Sequence, residues 1–414
     1  MVILSHPTGN ANVRAVASGL LESRLLAEFR TSIASFPGSL IDQLGAISPL
    51  SEIRRRRFEP SLMHLTTTWP WIEVGRLLAL KARLTNLTKH ETGLFSIDAV
   101  YRKFDKHVAS NLIQSIDKGA RAIYAFEDGA LDSFNKAKLS NITRIYDLPI
   151  GYWRAARRLL ETELILKPTW APTLTGFRDS ESKLARKDEE LQLADHIFVA
   201  SQFTASTLKE FPGSLAPIEV IPYGFPPVTK RREYSWIYPS KPLKLLFVGG
   251  LSQRKGIADL FDAVDDLRDH VELTVVGRRT TAHCPALDAA LAKHRWIPSL
   301  PHADILKLMQ TQDVLVFPSL FEGFGLVITE AMSQGTPVIT TERTAGPDLI
   351  THGENGWLIK AGSSETLRHS IENLLINPQL VNKNGKNAME AARLRPWSTY
   401  GEELSNSILK LLNT

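Results

Sequence analysis

The sequence has only one cysteine, Cys284, among its 414 residues. A single cysteine excludes an intrachain disulfide framework and any zinc site built from several thiolates, and it is typical of a reducing compartment. No run of about 18 apolar residues occurs, so we expect no transmembrane helix. The apolar start, Met1–Leu4, is too short for a signal peptide and lacks a basic flank. These absences favour a cytoplasmic protein.

The chain also shows little imbalance of charge. It has 49 Lys and Arg against 44 Asp and Glu, a net charge of +5 and a pI near 9.1. The basic residues are dispersed and are not interleaved with aromatic residues, which argues against a nucleic-acid partner. The exception is a run of four arginines that begins at Arg54. Two interpretations remain open for this run: a solvated helix end, or a patch for an anionic acceptor or for peripheral contact with the inner face of a membrane.

The most informative stretch is Phe317–Thr340, which reads FPSLFEGFGLVITEAMSQGTPVIT. Its pattern predicts a buried strand, a glycine-rich loop over 318–325, a helix over Leu326–Gln334 and a second strand from Val338. A helix that begins in such a loop presents unpaired N–H groups and the positive end of its dipole, which suit a phosphate group.

Two carboxylates lie in this unit, Glu322 in the loop and Glu330 in the helix. Carboxylates beside a phosphate site repel phosphate, so they suit hydroxyl groups that donate hydrogen bonds. A ligand that carries both phosphates and hydroxyls is a nucleotide sugar. The alternative is an ordinary β–α–β crossover with glutamates on its surface.

The whole stretch resembles the Glu-x7-Glu signature of the retaining family-4 glycosyltransferases (glycosyl transferases group 1), which have the GT-B fold. The resemblance implies that Glu322 contacts the donor sugar and that Glu330 binds the ribose hydroxyls. It also implies that the diphosphate is held by backbone N–H groups of Phe324, Gly325, Leu326 and Val327. It places the backbone that reads the base edge near Ile297.

A second segment resembles the same family. The predicted strand Leu243–Val248 leads into residues 249–256, GGLSQRKG. In the family, a glycine loop at this place presents an Arg and a Lys to the diphosphate, where the cation stabilises charge that develops on the leaving group. Lys255 matches the family lysine, Gly250 stands at the position of the arginine, and Arg254 is the candidate to supply the missing charge. The alternative is a solvated lysine at a helix start.

The N-terminus predicts the first unit of a doubly wound domain, with a strand Val2–Ser5, a loop over residues 6–12 and a helix from Val13 to Leu26. In GT-B enzymes, which the chain resembles, this first loop faces the cleft between the domains. The candidates for acceptor contact are therefore Gly9, Asn10, Asn12 and Arg14. Asn12 is also a candidate helix cap, and the two roles are compatible.

Two further predicted strands end in acidic residues, Glu127 after residues 121–126 and Asp147 after residues 143–146. Ligands of open α/β sheets bind beyond the carboxyl ends of the strands. Many family-4 enzymes carry a histidine at both places, and this chain does not, so no catalytic histidine is carried over. Glu127 and Asp147 are the candidates for contact with the acceptor hydroxyl, and the alternative is that they cap the following helices.

The fold class that we predict is α/β, of the GT-B type, with two Rossmann-like doubly wound domains that face a deep cleft. A length of 414 residues suits two or three domains. Residues 1–225 are assigned to an acceptor-binding domain, 226–241 to a Pro-rich basic linker and 242–396 to a donor-binding domain. The last helix, over 397–414, is expected to cross back to the N-terminal domain. The resemblance covers residues 120–414 with good motifs and 1–50 loosely.

The predicted reaction transfers a sugar, with retention of configuration, from a nucleoside-diphosphate sugar to a hydroxyl of a glycan, glycolipid or small molecule, as in bacterial polysaccharide or glycoconjugate synthesis. The catalytic candidates are Glu322, Lys255, Glu127 and Asp147. No cofactor is expected, and the lack of an Asp-x-Asp motif predicts no essential metal. The alternatives are a GT-B nucleotide-sugar epimerase or phosphorylase, or a non-catalytic protein that binds a sugar nucleotide.

Overall fold

Two parallel β-sheets, each flanked by helices, form the protein. The computed structural model describes residues 1–39, 42–43, 56–230, 232–234 and 241–413. Within these residues, seven strands belong to a first sheet and six to a second. The prediction of two Rossmann-like α/β domains is confirmed.

The N-terminal domain alternates strands and helices. Its strands are β1 (Val2–Ser5), β2 (Leu26–Thr31), β3 (Thr66–Thr68), β4 (Ala122–Phe126), β5 (Thr143–Leu148), β6 (His196–Val199) and β7 (Ile218–Val220). Its helices are α1 (Ala11–Glu22), α2 (Trp71–Lys81), α3 (Ile97–Ser110), α4 (Leu112–Asp117), α5 (Leu131–Leu139), α6 (Trp153–Leu166), α7 (Glu181–Leu193) and α8 (Gln202–Thr207).

The C-terminal domain repeats the same alternation. Its strands are β8 (Leu243–Val248), β9 (Val271–Val276), β10 (Arg295–Ile297), β11 (Val314–Phe317), β12 (Val338–Thr341) and β13 (Gly356–Ile359). Its helices are α9 (Ile257–Asp265), α10 (Pro285–Leu291), α11 (His302–Met309), α12 (Leu326–Ser333), α13 (Gly346–Leu349), α14 (Ser364–Ile376) and α15 (Gln379–Leu394), and α16 (Trp397–Asn413) ends the chain.

The strand order of each sheet reverses at one point. The first sheet runs β3-β2-β1-β4-β5-β6-β7, and the second runs β10-β9-β8-β11-β12-β13. The chain therefore winds outward in both directions from β1 and β4 in the first sheet, and from β8 and β11 in the second. In open α/β sheets, ligands bind at the carboxyl ends of the strands beside such a reversal. The topology thus marks one candidate site in each domain.

Apolar strands buried on both faces build the core of each domain. All residues of β1, β4 and β11 are buried, as expected for parallel strands covered by helices on both sides. A smaller apolar cluster joins the domains, in which Leu160 and Leu174 pack with Leu320 and Phe321. The two domains therefore share packed side chains beside the loop that follows β11.

The end of the chain and the linker hold the domains together. α16 packs against α1 at Gly19 and Gly401, where a Cβ on Gly19 would lie 2.4 Å from the carbonyl oxygen of Gly401. In the linker, Arg232 donates to the carbonyl oxygens of Met309 and Gln312 at 3.1 and 2.7 Å. The last helix thus returns to the N-terminal domain, while the described part of the linker is bound to the C-terminal one.

Two predicted helices are wrong in their bounds. The helix expected over Val13–Leu26 ends at Glu22, because Arg24 adopts a left-handed backbone with φ 56°, and Leu26 then begins β2. Residues 83–107 are polar, which predicts a helix interrupted around residues 92–93; the interruption is confirmed, but it spans residues 89–96, between a short 3-10 turn, Thr85–Thr88, and α3. Leu25 and Leu26 continue the apolar pattern of the first helix, although they are buried beyond its end.

None of the helices in the described ranges is long and apolar enough to cross a bilayer. Of the four-arginine run, Arg54 and Arg55 lie outside the described residues. Arg56 pairs with Glu73, and the half-exposed Arg57 lies 3.5 Å from Asp42. The two described members of the run therefore already have acidic partners within the protein.

Candidate active site

Two loops meet at the reversal point of the second sheet. One follows β8 and contains Arg254 and Lys255, and the other follows β11 and contains Glu322. Gly256, with φ 68°, fits closely against the second loop, since a Cβ there would lie 2.0 Å from the carbonyl oxygen of Pro318. The amide of Leu320 donates to the carbonyl oxygen of Arg254 at 2.9 Å. The two predicted signature segments are thus one packed unit.

The charged side chains of these loops pair with each other. The Lys255 ammonium forms an ion pair with the Glu322 carboxylate, and Arg254 lies 3.2 Å from the same carboxylate oxygen. Arg254 also donates to the carbonyl oxygen of Phe321 at 2.8 Å. Only 12% of the Lys255 side chain and 15% of that of Glu322 are exposed. Burial and the neighbouring Arg254 cation lower the pKa of Lys255, whereas the Glu322 carboxylate favours its charged form.

Helix α12 begins where the second loop ends. Its cap residue is Gly325, with φ 88°, and no side chain caps the helix. The first amides of a helix have no partner inside it, so those around Leu326 and Val327 lie at the positive end of the helix dipole. Phe324 points away from this end and packs on Tyr223 of the N-terminal domain, with ring centroids 4.8 Å apart.

Glu330, predicted to bind ribose, lies in α12 and has a partner that the sequence did not indicate. Nε2 of His302, the first residue of α11, lies 2.9 Å from a carboxylate oxygen of Glu330. The contact raises the pKa of His302. The His302 side chain is 62% exposed and that of Glu330 21%. The signal available for His302 was a polar residue that begins a helix after the segment expected to contact the base.

Gly250 and Ile297 lie at the rim of the same edge. Among the described residues, a Cβ on Gly250 would have the Thr280 methyl as its one neighbour within 4 Å, at 3.7 Å, so a Cβ fits there. The carbonyl oxygen of Ile297 accepts from the Gly277 amide at 3.0 Å. Next to it, Trp296 carries the Arg279 guanidinium over its ring, 4.7 Å from the centroid.

A cavity of about 230 Å³ lies at the reversal point of the first sheet. His6 follows β1, Glu127 and Asp128 follow β4, and Pro149 follows β5, and all four line it. His6 packs edge-on against Phe126 and Tyr101, with centroids 4.7 and 5.8 Å away. Burial lowers the pKa of His6 to about 4, so its imidazole is neutral at pH 7. Its place directly after the first strand was the signal that sequence reasoning passed over.

The structure divides the four predicted acceptor residues. Asn10 and Asn12 line this cavity, and Asn12 donates to the Tyr223 hydroxyl at 3.2 Å. Gly9 and Arg14 instead face Phe58: a Cβ on Gly9 would meet its ring at 2.3 Å, and the Arg14 guanidinium lies 5.9 Å from its centroid. Asn10, not Asn12, occupies the cap position of α1, and its side chain makes no cap hydrogen bond.

The two predicted acceptor-side acids also lie in different surroundings. Glu127 lines the cavity and lies 3.1 Å from the Lys187 ammonium, and burial raises the pKa of its carboxyl. Asp147 is 3% exposed and is not among the described residues that line the cavity. Its carboxyl accepts from the Tyr124 hydroxyl at 2.6 Å, and burial raises its pKa to about 7.

Hydrogen bonds and close packing at Gly323 hold the two sites next to each other. The carbonyl oxygen of Gly323 accepts from the hydroxyls of Ser201 and Thr204 at 2.5 and 2.9 Å. A Cβ on Gly323 would lie 2.0 Å from the carbonyl oxygen of Pro149, which also lines the N-terminal cavity. The loop that carries Glu322 therefore lies directly against the carboxyl edge of the first sheet.

Residues 230–391 match the protein family described as glycosyl transferases group 1. The chain is 31% identical over 173 residues to the phosphatidyl-myo-inositol mannosyltransferase of Mycobacterium leprae, a match that covers 40% of this chain and 46% of that protein. The chain thus spans about half the length of this curated relative. The residues that match the group 1 family, 230–391, include most of the C-terminal domain and both loops described above.

Solved structures share the architecture over the whole chain. Sucrose-phosphate synthase from Thermosynechococcus elongatus superposes with a TM-score of 0.67 at 17% identity, covering 100% of this chain and 98% of that one. Anabaena HepE in complex with UDP-glucose gives 0.63 at 16% identity, covering 99% of both chains. At these identities the likeness concerns the fold, which is GT-B, as predicted.

Proposed function

We propose that this protein is a retaining glycosyltransferase that moves a sugar from a nucleoside-diphosphate sugar to an acceptor hydroxyl. The observation that carries the proposal is the unit formed by Arg254, Lys255 and Glu322 beside the uncapped start of α12. It offers cations and helix amides to a diphosphate and a carboxylate to sugar hydroxyls. The group 1 match over 230–391 and the UDP-glucose complex of HepE, a structure of the same fold, support this assignment.

On the donor side, Lys255 and Arg254 neutralise the diphosphate together with the amides of residues 324–327. Glu322 then accepts hydrogen bonds from the donor sugar, and Glu330 accepts them from the ribose. Residues near Ile297 contact the base. A phosphate held by fixed cations and helix amides is a better leaving group, because charge that develops on its oxygen is already stabilised.

The mechanism that we propose is the one that the resemblance to the retaining group 1 enzymes implies. The acceptor oxygen attacks the anomeric carbon on the face from which the diphosphate leaves, the bond between that carbon and the phosphate oxygen breaks, and the acceptor proton passes to a phosphate oxygen. Configuration is thereby retained without a covalent carboxylate intermediate. Glu127, in the cavity, is the carboxyl that contacts the acceptor hydroxyl, whereas buried Asp147 supports the structure around Tyr124.

No metal step enters the proposal. A diphosphate that meets Lys255, Arg254 and helix amides already has the charge neutralisation that a divalent ion would supply. We place the protein in the cytoplasm, working on glycan, glycolipid or small-molecule acceptors of glycoconjugate synthesis. Contact with the inner face of a membrane would require the arginine run near Arg54.

One experiment separates transfer from the other GT-B chemistries. The protein is incubated in EDTA with UDP-, GDP- and ADP-sugars, inorganic phosphate and a mixture of saccharide acceptors, and released nucleoside diphosphate and products are identified by mass spectrometry. We expect nucleoside diphosphate and glycosylated acceptor in equal amounts. An isomerised donor would indicate an epimerase, sugar 1-phosphate a phosphorylase, and binding without any product a non-catalytic protein.

A further inference from the structure

The cavity at the reversal point of the first sheet adjoins a second one. The second cavity has a volume of about 270 Å³ and lies among residues of α3, α5 and α7. Asp98, Asp128 and Lys183 line both cavities. The first cavity reaches the donor loop through Pro149, which packs on Gly323. We call these two adjoining cavities the groove: the first lies beside the loop that carries Glu322, and the second lies further out over the N-terminal domain.

Two of the positively charged side chains along this groove form ion pairs with carboxylates of the protein. Lys183 lies 2.8 Å from Asp98 and 3.1 Å from Asp179. Arg186 contacts Asp105 and Glu190, both at 3.4 Å. A phosphate or carboxylate on an acceptor would compete with these carboxylates for the cations and would add negative charge beside Asp98, Asp128 and Glu189, which line the same space.

Arg102, the remaining cation among the described residues that line the groove, has a hydrogen-bond partner as well. The lining contains more acidic than basic residues. Arg102 donates to the carbonyl oxygen of Glu91 at 3.2 Å. Carboxylates and carbonyl oxygens are acceptors, so they suit ligands rich in hydroxyl groups. Tyr101 and Phe126 add aromatic surface beside His6, which is neutral at pH 7. An uncharged sugar fits such a lining, because its hydroxyl groups can donate to the acceptors while the apolar face of its ring packs on the aromatic groups.

We propose that the acceptor is an uncharged saccharide of at least two sugar units, which lies along the groove from Glu127 to Ser182. This inference rests on the proposed function. The unit that receives the new sugar occupies the first cavity, and the next unit occupies the second. This acceptor differs in charge from the phosphate-bearing inositol lipid that the name of the Mycobacterium leprae relative specifies.

The test measures acceptor binding independently of turnover. Isothermal titration is carried out on the full chain, in the presence of UDP, GDP or ADP, whichever binds. The probes are gluco-, galacto- and manno-configured monosaccharides, their disaccharides and their 6-phosphates. We expect at least one disaccharide to bind about tenfold tighter than its monosaccharide, the effect of one or two added hydrogen bonds, and the 6-phosphate to bind more weakly than either.

Two variants on one helix locate the second unit. Ser182 is an exposed residue of α7 that lines the second cavity, so Ser182→Trp narrows that cavity at little risk to folding. Ala185→Trp is the matched control, since it is exposed on the same helix and is not among the residues that line either cavity. We expect Ser182→Trp to weaken disaccharide binding about tenfold and to leave monosaccharide binding and nucleoside-diphosphate binding unchanged.

The outcomes are distinct. Tighter binding of a phosphorylated sugar than of any neutral saccharide, or no binding of neutral saccharides while the nucleoside diphosphate still binds, overturns the acceptor assignment and leaves the proposed function standing. Equal effects of Ser182→Trp and Ala185→Trp would remove the second sugar position. Absence of both donor and acceptor binding would contradict the proposed function and this inference with it.

Discussion

Lys255 and Glu322 form an ion pair that joins the two loops at the carboxyl edge of the second sheet. The pair lies with Arg254 beside the start of α12, where a diphosphate is expected. A donor would therefore exchange partners with the protein: its phosphates take up Lys255, while its sugar hydroxyls occupy Glu322. Lys255 keeps an anionic partner throughout, because the phosphates take the place of the Glu322 carboxylate beside it, and Arg254 lies close enough to offset part of the added negative charge.

The two members of the pair should respond differently to substitution. Lys255→Ala removes a preorganised charge contact and should lower kcat about 10²-fold or more. Glu322→Gln leaves the cation free for the diphosphate, so affinity for free nucleoside diphosphate should hold or rise, while kcat falls and the preference among donor sugars changes. Calorimetry with nucleoside diphosphates and a donor panel give both readouts, with Lys255→Arg as the charge-conserving control. Loss of nucleoside-diphosphate binding in Glu322→Gln would reverse the roles of Glu322 and Glu330.

Arg254 should replace the arginine that the family resemblance leads one to expect at Gly250. Arg254→Ala should raise the donor KM, because the diphosphate loses a cation that the Phe321 carbonyl holds in place. Since space is open beside Gly250, Arg254→Ala combined with Gly250→Arg should recover part of the affinity. Steady-state kinetics of the single and double variants test this expectation. An Arg254→Ala enzyme with wild-type kinetics would show that no replacement is needed.

The contact between His302 and Glu330 predicts a pH dependence of donor binding. The pKa of His302 is raised above its ordinary value near 6.5, so the charged pair is complete at low pH and is lost as the pH rises through the raised value. Ribose hydroxyls compete with the imidazolium for Glu330, so nucleoside-diphosphate affinity should increase between about pH 6 and pH 8.

His302→Ala is the control for this dependence. In that variant the extra gain over the same pH interval should vanish, leaving only the change caused by ionisation of the diphosphate itself. Glu330→Gln should raise KM with little change in kcat, because ribose contacts are equal in the ground and transition states. Calorimetric titrations at several pH values provide the comparison. Stronger binding at low pH in the wild type alone would mean that His302 assists the diphosphate.

Sequence reasoning singled out the two loops that pack together at the carboxyl edge of the second sheet, because their pattern is local. Glycines, the lysine and the two glutamates lie within short segments whose strand–loop–helix order follows from periodicity. The role of His302 was not predicted, because its contact with Glu330 depends on how α11 packs against α12. The exposed setting of that contact leaves no apolar pattern to read.

The residues around the N-terminal cavity were predicted less completely, for a related reason. Asn10, Asn12 and Glu127 were found from strand ends, but His6 was not, and Asp147 was placed with them although its side chain turns inward to Tyr124. Residues at a strand end alternate between the ligand edge and the interior. The strand predicted to end at residue 146 in fact continues to Leu148, so Asp147 lies within β5 and not beyond its end.

Asp147 gives a prediction about stability. Its pKa is about 7 in the folded protein and about 3.9 in the unfolded chain, so the folded state holds an extra proton between these values and stability falls as the pH rises through them. Asp147→Asn keeps an acceptor for Tyr124 and cannot ionise. At pH 8 its free energy of unfolding should exceed that of the wild type by up to about 4 kcal/mol, at about 1.4 kcal/mol per pKa unit.

Urea unfolding of both proteins at pH 4 to 8 measures this difference, and other buried acids, such as Glu190, contribute equally to the two proteins. The advantage of the variant should shrink steadily toward low pH. A difference that does not vary with pH would mean that Asp147 ionises freely in the folded protein.

The central claim is transfer of a sugar from a nucleoside diphosphate with retention, and proton NMR of the reaction tests it most directly. The anomeric signal of an α-linked nucleotide sugar is followed in the presence of a neutral disaccharide, with the wild type and Lys255→Ala in parallel. We predict that this signal decays while an α-anomeric signal of a new glycoside appears at the same rate, about 10²-fold more slowly in Lys255→Ala. A β-anomeric product, or a donor that changes without any new glycoside, would contradict the account.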